Sequence, residues 1–249
     1  MEFNRQMKEI VVIIQARMGS TRLPGKIMKD LCGKPVLWHI YNRLSYSKKK
    51  NKIVIATTGN KEDDIVEQFC KENNIHSYRG SESDVLLRYY ESAKLYCADI
   101  IIRITSDCPL IDPQILDSMI EQFDTINVDY LSNLLMRTFP RGLDVEIFTF
   151  HALEKAHQEA KKVYEREHVT PYFYQNPGIF SLYNYQNKID YSFHRWTLDT
   201  EDDYKLIEKI YEKLYSKGQI FFWNDVLYLF EKFPGLYEIN KQVQQKDLR

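Results

Sequence analysis

Ile10–Lys26 reads IVVIIQARMGSTRLPGK. Five consecutive aliphatic residues, Ile10–Ile14, spell a strand covered on both faces, because a half-exposed strand would alternate apolar with polar residues. The run stops at Gln15-Ala16, and a dense set of anion-seeking groups follows by Lys26. Gly19 and Gly25 let the backbone approach a ligand, and successive main-chain N–H groups in such a turn form an anion nest. Ser20 and Thr21 add hydroxyl donors; Arg17 and Arg22 add forked donors for phosphate oxygens, and Lys26 a point charge. The Walker A spacing fails, since five residues separate Gly19 from Gly25 and Ile27 follows the lysine. A triphosphate cradle is therefore expected at the end of a buried strand, with a basic surface loop as the plainer alternative.

Working outward, strand and helix signals alternate. Pro35 stands at an expected first helical position ahead of Val36, Leu37, Ile40, Tyr41 and Leu44 at helical spacing. Lys52–Thr57 reads as a strand, Ile65–Cys70 as helix, His76–Arg79 as a weak strand, and Asp84 as the cap of a helix carrying Val85, Leu86 and Tyr89. Asp99–Thr105 is a strand that ends in Ser106-Asp107-Cys108-Pro109, and Asp112-Pro113 opens another helix. Such alternation predicts a mostly parallel sheet with ligands beyond the carboxyl ends of its strands. Gln15–Lys26 and Ser106–Pro109 should then face one cleft. Further on, Asp129–Ser132, Gly142–Phe148, Ile179–Tyr183 and Phe193–Thr197 read as strands. His151–Tyr174 reads as helix broken near Pro171, Glu201–Tyr215 as an amphipathic helix, and the tail beyond Tyr237 as frayed.

Composition narrows the class. A net charge of −1 gives no electrostatic case for nucleic acid, and Lys48–Lys52 reads as a solvated turn. No stretch approaches the roughly 18 apolar residues of a membrane span. The four cysteines lack metal spacing, and three read as core, which suits reduced thiols in a cytoplasm.

Asp107, at the end of a buried strand, is placed either to hold magnesium, which takes one or two carboxylates plus phosphates and water, or to cap a turn. Asp199 in HRWTLDTEDD (His194–Asp203) is a second such carboxylate, or a helix cap; Asp202 and Asp203 read as structural first-turn acids. Asp144 and Glu146 would share one strand face. Arg166 and His168 in REHVTPYF could take an anionic group of a second substrate, or serve a salt-bridged interface. His39, His76, His151 and His157 read as core or surface histidines, and no nucleophile–base set stands out.

Six ordered stretches resemble the cytidylyltransferases that include CMP-KDO and CMP-acylneuraminate synthetases, most closely the branch named for the spore-coat polysaccharide protein SpsF. They are IIQARMGSTRLPGK, GSESDVLLRYY, RITSDCPLID, RGLDVEIF, REHVTPYF and RWTLDTEDDY, spread from Ile13 to Tyr204. The resemblance implies a GT-A-like α/β fold: a mostly parallel sheet flanked by helices, one domain over 1–249 with a dimerisation arm at about 129–185. It implies CMP transfer from CTP to a sugar acid with pyrophosphate release, in a cytoplasmic homodimer with no nucleic-acid or membrane partner.

Residue by residue, Ala16, Arg17, Gly19, Ser20, Thr21, Arg22 and Lys26 would bind the nucleotide. Gly80, Asp84 and Arg88 would lie by base, ribose or sugar, and Asp107 with Asp199 would hold Mg2+. Arg22, Lys26 and Asp107 are the expected catalytic groups, and Asp144, Glu146, Arg166 and His168 the expected acceptor-binding groups. Ser106-Asp107-Cys108-Pro109 departs from the Gly-Asp-Glu-Pro of the KDO enzymes, so sugar specificity does not transfer. Nucleotidyl transfer to a sugar 1-phosphate and a GT-A glycosyltransferase are the alternatives, the latter lacking its DxD motif here.

Overall fold

The computed structural model describes residues 8–245. Its elements run β1 (Ile10–Gln15), β2 (Asp30–Leu31), β3 (Lys34–Pro35), α1 (Val36–Ser45), β4 (Lys52–Thr58), α2 (Asp64–Glu72), β5 (His76–Gly80), α3 (Val85–Leu95), β6 (Ile100–Thr105) and α4 (Pro113–Thr125). There follow β7 (Tyr130–Ser132), β8 (Glu146–Thr149), α5 (Phe150–Glu159), α6 (Val163–His168), α7 (Pro171–Tyr174), β9 (Leu182–Asn184), α8 (Glu201–Leu214) and α9 (Trp223–Lys232).

One sheet has the order β5-β4-β1-β6-β8-β7-β9. β1 lies parallel between β4 and β6, and β5 parallel to β4. β8 runs antiparallel to both β6 and β7, and β9 parallel to β7. β1 is an interior strand covered on both faces, and all of Val11–Ile14 is fully buried. Val12 and Ile14 face the core formed with α1, α4, α8 and α9, whereas Val11 and Ile13 face the core formed with α3 and α5. Gln15 pairs with Thr105. The two strands therefore end level, and the loops after them leave from one edge.

Local chemistry accounts for the helix starts. Asp112 accepts the amides of Gln114 and Ile115 with Pro113 in the first turn, and Asp84 accepts from Leu87. Thr200 and Asp203 form a reciprocal capping box on α8.

Several expectations are corrected. Phe193–Thr197 is no strand; it touches its neighbour only through an isolated Arg141–Arg195 bridge. The strand expected over Gly142–Phe148 is Glu146–Thr149, so Asp144 lies outside it. Gly142 has φ +107°, a conformation that stops a strand. Pro35 ends the β2–β3 hairpin one residue before α1. The helix around His151–Tyr174 is cut into α5, α6 and α7. Cys70 and Cys108 are buried, whereas Cys32 and Cys97 are exposed. The stretch 238–245 folds back against Asp203 and Arg195, and Asn240 is buried; the rest of the tail lies outside the described residues. No helix among the described residues is long and apolar enough to cross a membrane.

Candidate active site

The loop after β1 is shaped by its backbone. Gly25 sits at φ +66° and donates its N–H to the Met18 carbonyl at 3.1 Å, closing Met18–Gly25 and launching a 3-10 turn at Lys26. The Met18 amide is held at 2.6 Å by Asp63, a fully buried carboxylate that also takes the Thr58 hydroxyl. Asp63 went unremarked in the sequence, where it is one acid among several at the start of α2; only its burial betrays its task. Gly19 leaves room for Glu62, whose Oε1 would stand 3.1 Å from an added Cβ. Ala16 is buried beneath the loop, while Arg17, Thr21 and Arg22 are exposed and Ser20 partly so. Arg17 pairs with Glu82 at 3.1 Å.

Lys26 Nζ lies 2.9 Å from Asp199 Oδ1, 2.9 Å from the Leu198 carbonyl and 3.5 Å from Asp107 Oδ2. The ends of β6 and of the segment ahead of α8 thus meet at one ammonium. Asp107 is also held by the Thr105 hydroxyl at 2.5 Å. Asp199 is approached by two further cations, Arg22 at 3.0 Å and Arg195 at 3.1 Å. Burial alone would lower the Lys26 pKa, but the Asp107 and Asp199 carboxylates outweigh it and the net shift is upward. Burial likewise pushes Asp107 up, and Lys26 with the Thr105 hydroxyl more than reverses it. Lys26 and Asp107 are therefore both charged at neutral pH.

This donor set suits magnesium. Two carboxylates converge on one cation-sized position, and no group of three or more His, Cys, Asp or Glu that could hold a metal occurs among the described residues. Such a pair needs phosphate and water oxygens to complete a shell, which is how magnesium is usually bound.

The donor loop after β1, Asp107 after the parallel strand β6 and Asp199 ahead of α8 share one edge of the sheet, and residues 11–233 match the family model described as cytidylyltransferase. The chain belongs to that family. This cytidylyltransferase is 35% identical over 220 residues to the spore coat polysaccharide biosynthesis protein SpsF of Bacillus subtilis, covering 83% of this chain and 88% of that one. A 3-deoxy-manno-octulosonate cytidylyltransferase of Trichlorobacter lovleyi is 36% identical over 115 residues, 46% of this chain and 45% of its own. A solved cytidylyltransferase structure from Leptospira borgpetersenii superposes with a TM-score of 0.89 at 38% identity, covering 97% of this chain and 100% of that one.

The remaining candidates of the cytidylyltransferase fall into separate groups. Gly80, at the end of β5, accepts from Gly59 at 2.9 Å, and an added Cβ would stand 2.8 Å from Tyr78 and 3.1 Å from Arg88. Arg88 is buried and donates to the Ser81 carbonyl at 2.8 Å, with its Nε unpartnered. Asp84, besides capping α3, receives Arg166 through Nε at 3.0 Å and Nη2 at 2.5 Å. Arg166 also donates to the His157 carbonyl, so this guanidinium ties α6 to α3. His168 ends α6. Asp144 pairs with Arg137, and Glu146, buried in β8, receives Arg103 and the Tyr130 hydroxyl. Asp144 and Glu146 therefore answer to different arginines and do not form one acidic face.

Arg195 and Asp203 carry more than the sequence suggested. Asp203 is fully buried; it accepts Arg195 Nε at 2.9 Å and the amides of Asp199 and Thr200 at 3.0 Å. The C-terminal segment adds Asn240 to Asp203 and Gln245 to Arg195. An arginine four residues before Asp199 was a visible signal; the tail's part was not.

Proposed function

We propose that this cytidylyltransferase moves CMP from CTP to a sugar acid of the nonulosonate or 3-deoxy-octulosonate kind, for a surface polysaccharide or glycan, with Mg2+ held by Asp107 and Asp199. The observation that carries the proposal is the convergence of those two carboxylates on Lys26 Nζ beside a glycine-bearing anion loop. The likeness to SpsF and to a 3-deoxy-manno-octulosonate cytidylyltransferase supports the acceptor class.

An acceptor hydroxyl oxygen attacks the α-phosphorus of CTP in line; the new O–P bond forms as the bond to the bridging oxygen breaks, and pyrophosphate leaves with that electron pair. Bound magnesium would neutralise charge on the nucleotide oxygens and favour the ionised hydroxyl. The chain supplies position and charge. Main-chain N–H groups of Gly19–Arg22 and the Ser20 and Thr21 hydroxyls orient the triphosphate. Arg22 and Lys26, now engaged with carboxylates, turn to the leaving pyrophosphate and offset its growing charge. Asp107, held below the usual carboxylate range, is a weak base, so the hydroxyl proton leaves to solvent.

Pyrophosphate release from CTP and magnesium, assayed over sugar acids and sugar 1-phosphates, tests the proposal. Release that requires a sugar acid supports it. Release only with a sugar 1-phosphate, or nucleoside diphosphate freed from a nucleotide-sugar, overturns it. Ile179, Tyr183, Ile189 and Phe193 are exposed at and beyond the β9 edge and support a homodimer, which light scattering would test.

A further inference from the structure

Arg141 is locked beside Arg195. Its amide donates to the His194 carbonyl at 3.0 Å, and its carbonyl accepts the Trp196 amide at 2.7 Å. Gly142 clamps the same junction: at φ +107°, an added Cβ would stand 2.6 Å from the Trp196 carbonyl carbon and oxygen. Yet the Arg141 side chain makes no ion pair or hydrogen bond among the described residues, unlike every cation around it. Arg137 has Asp144, Arg195 has Asp199 and Asp203, and Arg22 and Lys26 have Asp199. Burial first, then the Arg137 guanidinium and more weakly that of Arg195, make charge on Arg141 unfavourable, and the Asp144 and Asp199 carboxylates offset this only in part. A half-buried guanidinium between two others is costly without an anion.

Beside it lies a cavity of about 150 Å³, lined by Arg141, Ser192, Arg195, Asn240, Lys241 and Gln245 among others. About 15 Å³ of such space admits one water, so a carboxylate or phosphate group fits. Arg195 spans cavity and site, with Nη1 on Gln245 at 2.7 Å and Nη2 on Asp199 at 3.1 Å.

We propose that this cavity is an anion subsite in which Arg141, flanked by Arg195 and Lys241, binds the acidic group of the acceptor. The proposal rests on the nucleotidyl-transfer reading above and adds where the acceptor's acid docks. A guanidinium fork serves a carboxylate or a phosphate equally, so the acid is that of a sugar acid or of a sugar phosphate. The C-terminal segment becomes a wall of the site.

The test compares wild type with Arg141→Gln and Arg141→Lys. With 3-deoxy-manno-octulosonate or glucose 1-phosphate as acceptor, kcat/KM falls about a hundredfold in Arg141→Gln, mostly through acceptor KM, while the KM for CTP stays within twofold. Arg141→Lys restores no more than a tenth of the activity, because an ammonium lacks the fork. The methyl ester of the sugar acid reacts equally in wild type and Arg141→Gln. Pyruvate and inorganic phosphate, titrated by calorimetry without CTP, probe the subsite apart from catalysis. Loss of pyruvate binding in the variant assigns a carboxylate and loss of phosphate binding a phosphate, even if no transfer is found. An unchanged acceptor KM together with unchanged probe binding overturns the proposal, as does an equal rise in the KM for CTP. Should Arg141→Gln not fold, Lys241→Glu, which sets a carboxylate at the cavity, should weaken the same probes about tenfold; unchanged binding there overturns it too.

Discussion

The main-chain carbonyl of Asp107 accepts the Leu198 amide at 2.8 Å, and the Thr197 hydroxyl adds a second bond at 3.1 Å. This backbone splice is what sets Asp107 and Asp199 on opposite sides of Lys26. Asp203 then accepts the amides of Asp199 and Thr200, so the carboxylate pair is positioned by main chain before any ligand arrives.

The two carboxylates differ in how many cations depend on them. Asp199 meets Lys26, Arg22 and Arg195, whereas Asp107 meets Lys26 alone. Asp199→Asn should cost about 3 kcal/mol in urea denaturation, as expected when a largely buried pair loses one member. Asp107→Asn should cost about 1 kcal/mol. Both should lower kcat by roughly 100- to 1000-fold. Equal destabilisation would show that the three cations do not share Asp199 in solution.

Lys26 Nζ occupies the position between Asp107 and Asp199 where the proposed divalent cation would sit. Without nucleotide, Mn2+ should raise the melting temperature of Lys26→Ala but leave wild type unmoved, because the ammonium no longer competes for Asp107 and Asp199. If Mn2+ stabilises wild type as strongly as the variant, Lys26 is not the competitor.

Gly142→Ala should destabilise by about 3 kcal/mol or more. The added methyl has nowhere to go against the Trp196 carbonyl, and φ +107° is itself disfavoured for alanine. A denaturation midpoint within error of wild type would contradict the close approach.

Acid should weaken the fold through two buried histidines. Burial holds His39 and His194 down at about 4, against 6.5 in an open chain. The unfolded chain then takes up protons that the folded one refuses, so stability falls as pH drops from 6.5 towards 4. Asp107, with its folded value below 3.8, keeps its contribution above that pH and loses it only as pH falls through its folded value. Lys26, raised above 10.5, keeps its contribution below that pH and loses it only on the alkaline side. His194 Nδ1 has no partner, so His194→Phe should flatten the limb between 6.5 and 4 in urea titrations; an unaltered slope would clear His194.

Which parts could be read before the structure follows from how local their causes are. The burial of Val11–Ile14, the glycine-bearing loop after them, the Asp112-Pro113 start and the Asp84 cap each depend on residues within a few positions of one another. Phe193–Thr197 misled because its large apolar residues have a different cause: Trp196 packs into the core, while the backbone meets Arg141 at only a single bridge. The tail looked frayed because its polarity suggests solvent, whereas Asn240 spends its amide on Asp203 and the Arg195 carbonyl.

By itself the sequence determined a mostly parallel α/β sheet and marked the loop after β1, with Asp107 and Asp199, as candidates, since side-chain type and short spacing suffice for strands, caps and a run of donors. Only the tertiary structure decided which charges meet: Arg166 with Asp84, Arg137 with Asp144, Arg195 with Asp203, and Arg141 with none among the described residues. Ion pairs between distant segments depend on through-space distance, and that distance exists only once the sheet order has brought the strand ends together.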